Sequence, residues 1–220
     1  MRALDAILRP TAAGGARLGP AVVAVVLGGG GYGAVMGSFG GLAGDRGLQI
    51  VFSAVKVPLL LLLTTALALP SFFVLNTVLG LRRDWPTALR AVLGAQGAVA
   101  IVLAALAPYT AVWYASSGNY HRATTVNGGM FLIAAVAAQW VLRQYYAPLV
   151  AADRRHRAVM RGWLILYAFV AIQLGWVLRP FIGDPALPPT FFRAGAWGNA
   201  YVVVAEIVWK AFGGTVTWSR

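Results

Sequence analysis

VFSAVKVPLLLLLTTALALPSFFVLN, residues 51–76, decides the fold class. It has the apolar density of a bilayer span, yet Lys56 lies inside it and Pro58 and Pro70 interrupt it. From Gly47 to Leu81 the only charge is Lys56. A straight helix of that length would be about 50 Å long, against a hydrocarbon core of about 30 Å. Such a helix must tilt, kink or run on past the lipid. Each proline deletes a backbone donor and clashes with the preceding turn, so kinks are expected at Pro58 and Pro70. The part from Ser71 to Leu81 is expected to continue as helix beyond the lipid.

The rest of the chain has the same character. Of 220 residues, 60% are hydrophobic and 11% charged, less than half the charged fraction of a soluble domain. So many apolar runs in so short a chain exceed what one buried core can absorb, which leaves lipid as their surroundings. Charge-free runs predict six spans, at 20–42, 48–69, 91–107, 126–142, 162–178 and 197–213, in a single helical domain over residues 1–220. The fold class is an all-α polytopic transmembrane bundle. The sixth run carries Glu206 and Lys210 one turn apart, so the alternative is five spans and an interfacial C-terminal helix. The arginines at 2, 9 and 17 precede a first run that reads as an uncleaved span, because residues 18–44 hold no charge.

The net charge of +12 follows topology. Thirteen basic residues fall at the N-terminus, after the second and fourth spans and near the C-terminus, whereas Arg46, Arg122, Arg179 and Arg193 fall on the other side. The asymmetry predicts that both termini lie in the cytoplasm; the expected location of the chain is a cytoplasmic membrane. Nucleic acid is not an expected partner; the expected surroundings are the bilayer and either further copies or other membrane subunits. Tyr109, Trp113, Tyr114 and Tyr120 crowd one connection, where amphipathic rings suit the headgroup layer.

Gly29, Gly33, Gly37 and Gly41 recur every four residues in the first run and predict a helix-packing face, within the chain or between copies. The G-x-G-x-x-G at Gly28, Gly30 and Gly33 lacks the strand that a phosphate-binding loop requires.

Chemistry-bearing residues are sparse. There is no cysteine, and His121 and His156 fall in connections on opposite sides, so neither a metal site nor a cofactor is expected. His156 in ADRRHR reads as part of a solvated face. There is no nucleophile motif and no carboxylate pair, so the chain is read as non-catalytic. Lys56 and Glu206 are predicted at similar depth, and each unpaired charge there costs at least ~2.5 kcal/mol. They form a candidate intramembrane pair. The alternatives are snorkelling of Lys56 to the headgroups and pairing of Glu206 with Lys210.

KVPLLLLLT and LPSFFVLNTVLG, preceded by YGAVMGSFGG and followed by WVLRPFIG, together resemble a group of uncharacterised bacterial multi-pass membrane proteins, loosely Yip1-like. The resemblance implies an integral membrane protein and supplies no active site. The function that follows from these readings is a scaffold or a subunit of a membrane assembly. The alternative is a channel or transporter for a small solute or ion.

Overall fold

The computed structural model describes residues 18–42, 44, 46–193, 196, 198 and 200–202. Five helices carry the fold: α1 (Leu18–Gly37), α2 (Arg46–Val78), α3 (Trp85–Ser116), α4 (Tyr120–Ala152) and α5 (Arg155–Leu178). All five are long and apolar enough to cross a membrane, and no strand occurs among the described residues. The described residues therefore hold five such helices rather than the six expected. Of the expected sixth span only residues 198 and 200–202 are described, so its course and Glu206 lie outside the described residues.

The connections explain the antiparallel order. α2 stops in a Schellman turn: Leu81 N–H donates to the Asn76 carbonyl at 2.8 Å and Gly80 N–H to that of Thr77 at 3.0 Å. Gly80 takes φ +74°, the left-handed conformation this cap requires. A 3-10 turn over Arg82–Asp84 leads into α3, which has proline in its first turn, where no donor is lost. Asn119 caps α4, its side chain accepting from Arg122 N–H at 3.0 Å. Asp153 begins the turn into α5 and accepts from the Arg155 backbone at 2.8 Å and from its guanidinium at 2.7 Å. Those Arg155 hydrogen bonds hold its carboxyl below the usual range. One end of the bundle thus consists of short turns. The other, the long-loop end, carries residues 38–42, 44, 117–119 and 179–193.

Helix α1 packs between α2 and α3; α4 lies against α3, and α5 mainly against α2. The centre is filled by Tyr32, Val57, Phe72, Leu103, Tyr146 and Trp163, all at most 2% exposed. Phe72 meets Trp163 edge-on, with ring centroids 4.8 Å apart, and this contact joins α2 to α5. α3 presents a face of small residues, with Ala88, Ala91, Ala95, Ala98 and Ala100 buried.

The glycine stripe lies where α1 crosses α2. A Cβ at Gly33 would overlap the Ser53 backbone, and one at Gly37 would stand 2.6 Å from the Gln49 carbonyl oxygen. At Gly29 the nearest atom, on Pro58, would be 3.5 Å away, an ordinary contact. Gly41 does not share this face. α1 ends at Gly37, and Gly40 and Gly41 adopt φ +88° and +120° in the following turn, so the four-residue spacing outlasts the helix. α2 is assigned as one helix through both Pro58 and Pro70 to Val78. Pro58 is buried where Gly29 leaves room for its ring.

His156 corrects another expectation. It is fully buried, with Nε2 3.0 Å from Asp84 Oδ2, and ties the α2–α3 turn to the start of α5. The arginines around it in sequence, at 154, 155 and 157, are exposed; the helix turns only this side chain inward.

These contacts rank the glycines. Gly33→Ala and Gly37→Ala should each destabilise the detergent-solubilised protein by about 1–3 kcal/mol, because backbone must move to admit a methyl group. Gly29→Ala should stay within about 0.5 kcal/mol of the parent. Thermal unfolding of the three variants checks the order, and equal effects at all three positions would refute it.

Candidate functional site

On α2, Gln49, Ser53 and Lys56 follow one another at i, i+4 and i+7, which places them on one helix face. All three are fully buried. They meet the backbone of the segment that leaves α5. Lys56 Nζ donates to the Pro180 carbonyl at 2.7 Å. Gln49 Nε2 donates to Ser53 Oγ at 3.0 Å and reaches the Phe181 carbonyl at 3.3 Å. Ser53 Oγ also donates to Phe181 O. One turn earlier, Arg46 adds Nη1 to the Asp184 carbonyl at 3.0 Å and Nη2 to that of Pro185.

The chemistry accounts for the charge in the opening stretch. The last carbonyls of a helix have no intrahelical partner and carry partial negative charge. Lys56 lies beside the carbonyl just past the end of α5, so the cation and that carbonyl satisfy each other at the negative end of the helix. The Phe191 ring covers the ammonium at 4.8 Å from its centroid, a cation–π contact. The sequence left Lys56 with a carboxylate or the headgroups as partners; the structure gives it a backbone carbonyl.

The anchored segment roofs a cavity of about 390 Å³. Its walls are Met36 at the end of α1, Leu60 on α2, and Thr124, Asn127, Gly128 and Phe131 on α4. Arg179, Ile182 and Arg193 line it from the loop. Asn127 is held in place: it accepts from Tyr32 O–H at 2.8 Å and donates to Tyr114 Oη at 2.6 Å, which ties α4 to α1 and α3. Arg179 stacks on Trp176, its guanidinium carbon 3.2 Å from the ring centroid. Burial, and secondarily the neighbouring Arg193 charge, push the Arg179 guanidinium below its usual range.

Of the residues singled out from the sequence, Lys56, Gly29, Gly33, Gly37 and Pro58 converge on one stretch of α2. Pro70 lies farther along that helix and Gly41 lies in the loop. Glu206 is outside the described residues. Sequence reasoning missed Gln49, Ser53, Arg179 and Arg193 as parts of one site. The signal for Gln49 and Ser53 was their helical spacing with Lys56. Nothing in the pattern foretold that residues 180–185 return to α2. Among the described residues no group of His, Asp and Glu could hold a metal ion.

Lys56→Met should lower the unfolding free energy by about 1.5–3 kcal/mol, the scale of a hydrogen bond to a charged group. Combined with Glu206→Gln, its effect should be additive within about 0.5 kcal/mol, since Lys56 already has its acceptor. Chemical unfolding of the four proteins measures this, and larger coupling would make Glu206 a second partner of Lys56. No family model, no curated protein and no solved structure matches the chain.

Proposed function

We propose that this chain is a non-catalytic component of the bacterial cytoplasmic membrane, a scaffold or a subunit of a larger membrane assembly. The observation that carries this reading is the exposure of α5. In its most apolar 18-residue window only 11% of residues are buried inside the chain, against 56% for the window that includes α3. Its described buried residues are His156, Val159 and Trp163 near one end and Leu178 at the other. Ile165 and Ile172 are exposed between them, whereas the ring of Tyr201, from the chain's own following segment, stacks on Phe169. Gln173 bonds to Gly198 and Ala200 of the chain itself, so the apolar surface left on α5 for another membrane subunit to cover is the part around Ile165 and Ile172.

The polar residues inside the bundle support a structural role. Tyr32, Asn127 and Tyr114 bond to one another, Tyr167 O–H donates to Gln96 Oε1 at 2.8 Å, and Lys56 bonds to Pro180. Each of these bonds joins two elements, as polar groups that hold helices together in lipid do. In this reading the arginine-rich short-turn end faces the cytoplasm, and a sixth crossing by residues 197–213 returns the C-terminus there.

Two measurements test the proposal. A photo-crosslinking residue at Ile165 or Ile172 should capture protein in native membranes, while one at Val112 on α3 should capture lipid alone; lipid alone at all three sites would defeat the scaffold reading. Reporters inserted at residue 83 and at the C-terminus should read cytoplasmic, and those at Ser117 and Pro188 external. A reversed pattern would overturn the orientation.

A further inference from the structure

The cavity beneath residues 179–193 changes character along its depth. Phe131 lies eleven residues into α4, about 16 Å of helix rise from its start; with Leu60 and Met36 it makes an apolar interior. Arg179 and Arg193 belong to the connecting segment and line the mouth. A cationic mouth over an apolar interior at one end of a membrane bundle fits one shape of ligand: an anionic headgroup on an apolar tail.

Three further observations point the same way. Among the described residues neither arginine has a carboxylate partner: the ion pairs there join Arg155 to Asp153 and His156 to Asp84. Asp184, the acid nearest in sequence, accepts instead from Ala186 N–H at 3.0 Å. Arg179 Nε is buried without a hydrogen-bond partner, a donor that the fold leaves unused. Two neighbouring guanidiniums repel each other unless an anion lies between them, and their planar forks match the oxygens of a phosphate or a carboxylate. Finally, the flank of the cavity on α4 is open. Thr124 and Gly128 are exposed, and a Cβ at Gly128 would meet nothing within 4 Å. A tail longer than the cavity can leave there and lie in the lipid beside α4.

We propose that this cavity binds an anionic amphiphile of the membrane, its headgroup between Arg179 and Arg193 and the upper part of its tail against Leu60, Phe131 and Met36. The other basic cleft, lined by Arg143, Arg154 and Arg157 between α4 and α5, differs. Its three arginines are exposed around an open groove, so they serve as a control for charge alone.

The test uses the full chain in nanodiscs of mixed phosphatidylcholine and phosphatidylglycerol, with retained lipid counted by native mass spectrometry. The expected result is one phosphatidylglycerol held per chain. Arg193→Gln should cut its retention about tenfold through loss of a charge-assisted contact. Gly128→Phe should do the same by filling the flank, with no loss of thermal stability because that position is open. Arg143→Gln combined with Arg157→Gln should leave retention unchanged although two charges are gone. Persistence of phosphatidylglycerol against added oleate identifies a bilayer lipid as the occupant, and displacement by oleate identifies a free amphiphile; both support the proposal. Displacement by inorganic phosphate alone would overturn it, because the tail would then contribute nothing. Equal retention by the parent, Arg193→Gln and Gly128→Phe would overturn it as unspecific lipid. Increased retention in Glu206→Gln would overturn it by showing that the chain's own carboxylate fills the site.

Discussion

A lysine buried in an apolar helix needs an acceptor, and the structure depends on where Lys56 finds one. The Pro180 carbonyl lies 2.7 Å from its ammonium, just past the end of α5. An unpaired cation at that depth would cost several kcal/mol, and an unpaired carbonyl nearly as much in lipid. Together they form a bond that joins two helices far apart in sequence. Gln49, Ser53 and Arg46 extend it into a row of donors, all addressed to backbone carbonyls between Pro180 and Pro185. The loop is thus held through its backbone carbonyls rather than through its side chains.

The same turns of α2 are constrained on their other flank. Gly33 and Gly37 bring α1 against the backbone of Ser53 and Gln49, the residues whose side chains hold the loop. Gly183 in turn leaves no room for a Cβ beside Gln49, where one would stand 2.8 Å from Cγ. α2 between Gln49 and Pro58 is therefore packed between a glycine face and an anchored loop. A shift of α1 would move the donors of the row, so the glycines and the polar residues act on one geometry. Interiors packed this closely transmit displacement rather than absorb it.

Much of the architecture was legible in the sequence because hydrophobic runs and turn residues are local signals. The five helices long and apolar enough to cross a membrane, the continuation of α2 past Pro70 and the three glycines of α1 all rest on spacing along the chain. Helix ends were misjudged where apolar sequence ran on: α1 stops at Gly37 although the charge-free run continues, since Gly40 and Gly41 take backbone conformations that no helix contains. His156 was misread for a related reason. Three of its neighbours are arginines, yet helical geometry turns this one residue inward toward Asp84. The site was the least legible part. Its arginines lie on the loop, its polar row on α2 and its apolar wall on α4, and only tertiary packing brings them together.

That packing also makes the roof of the cavity and the anchor of the loop the same few residues. Pro180 and Phe181, which accept from the α2 donors, line the cavity beside Arg179 and Ile182. The position of the roof is thus set by bonds made outside the cavity, while the two arginines below it oppose each other. An anion between the arginines would relieve the repulsion without altering the row. Binding of that kind would stabilise the folded chain by mass action, with the donor row of α2 holding the roof in the same place whether or not the anion is bound.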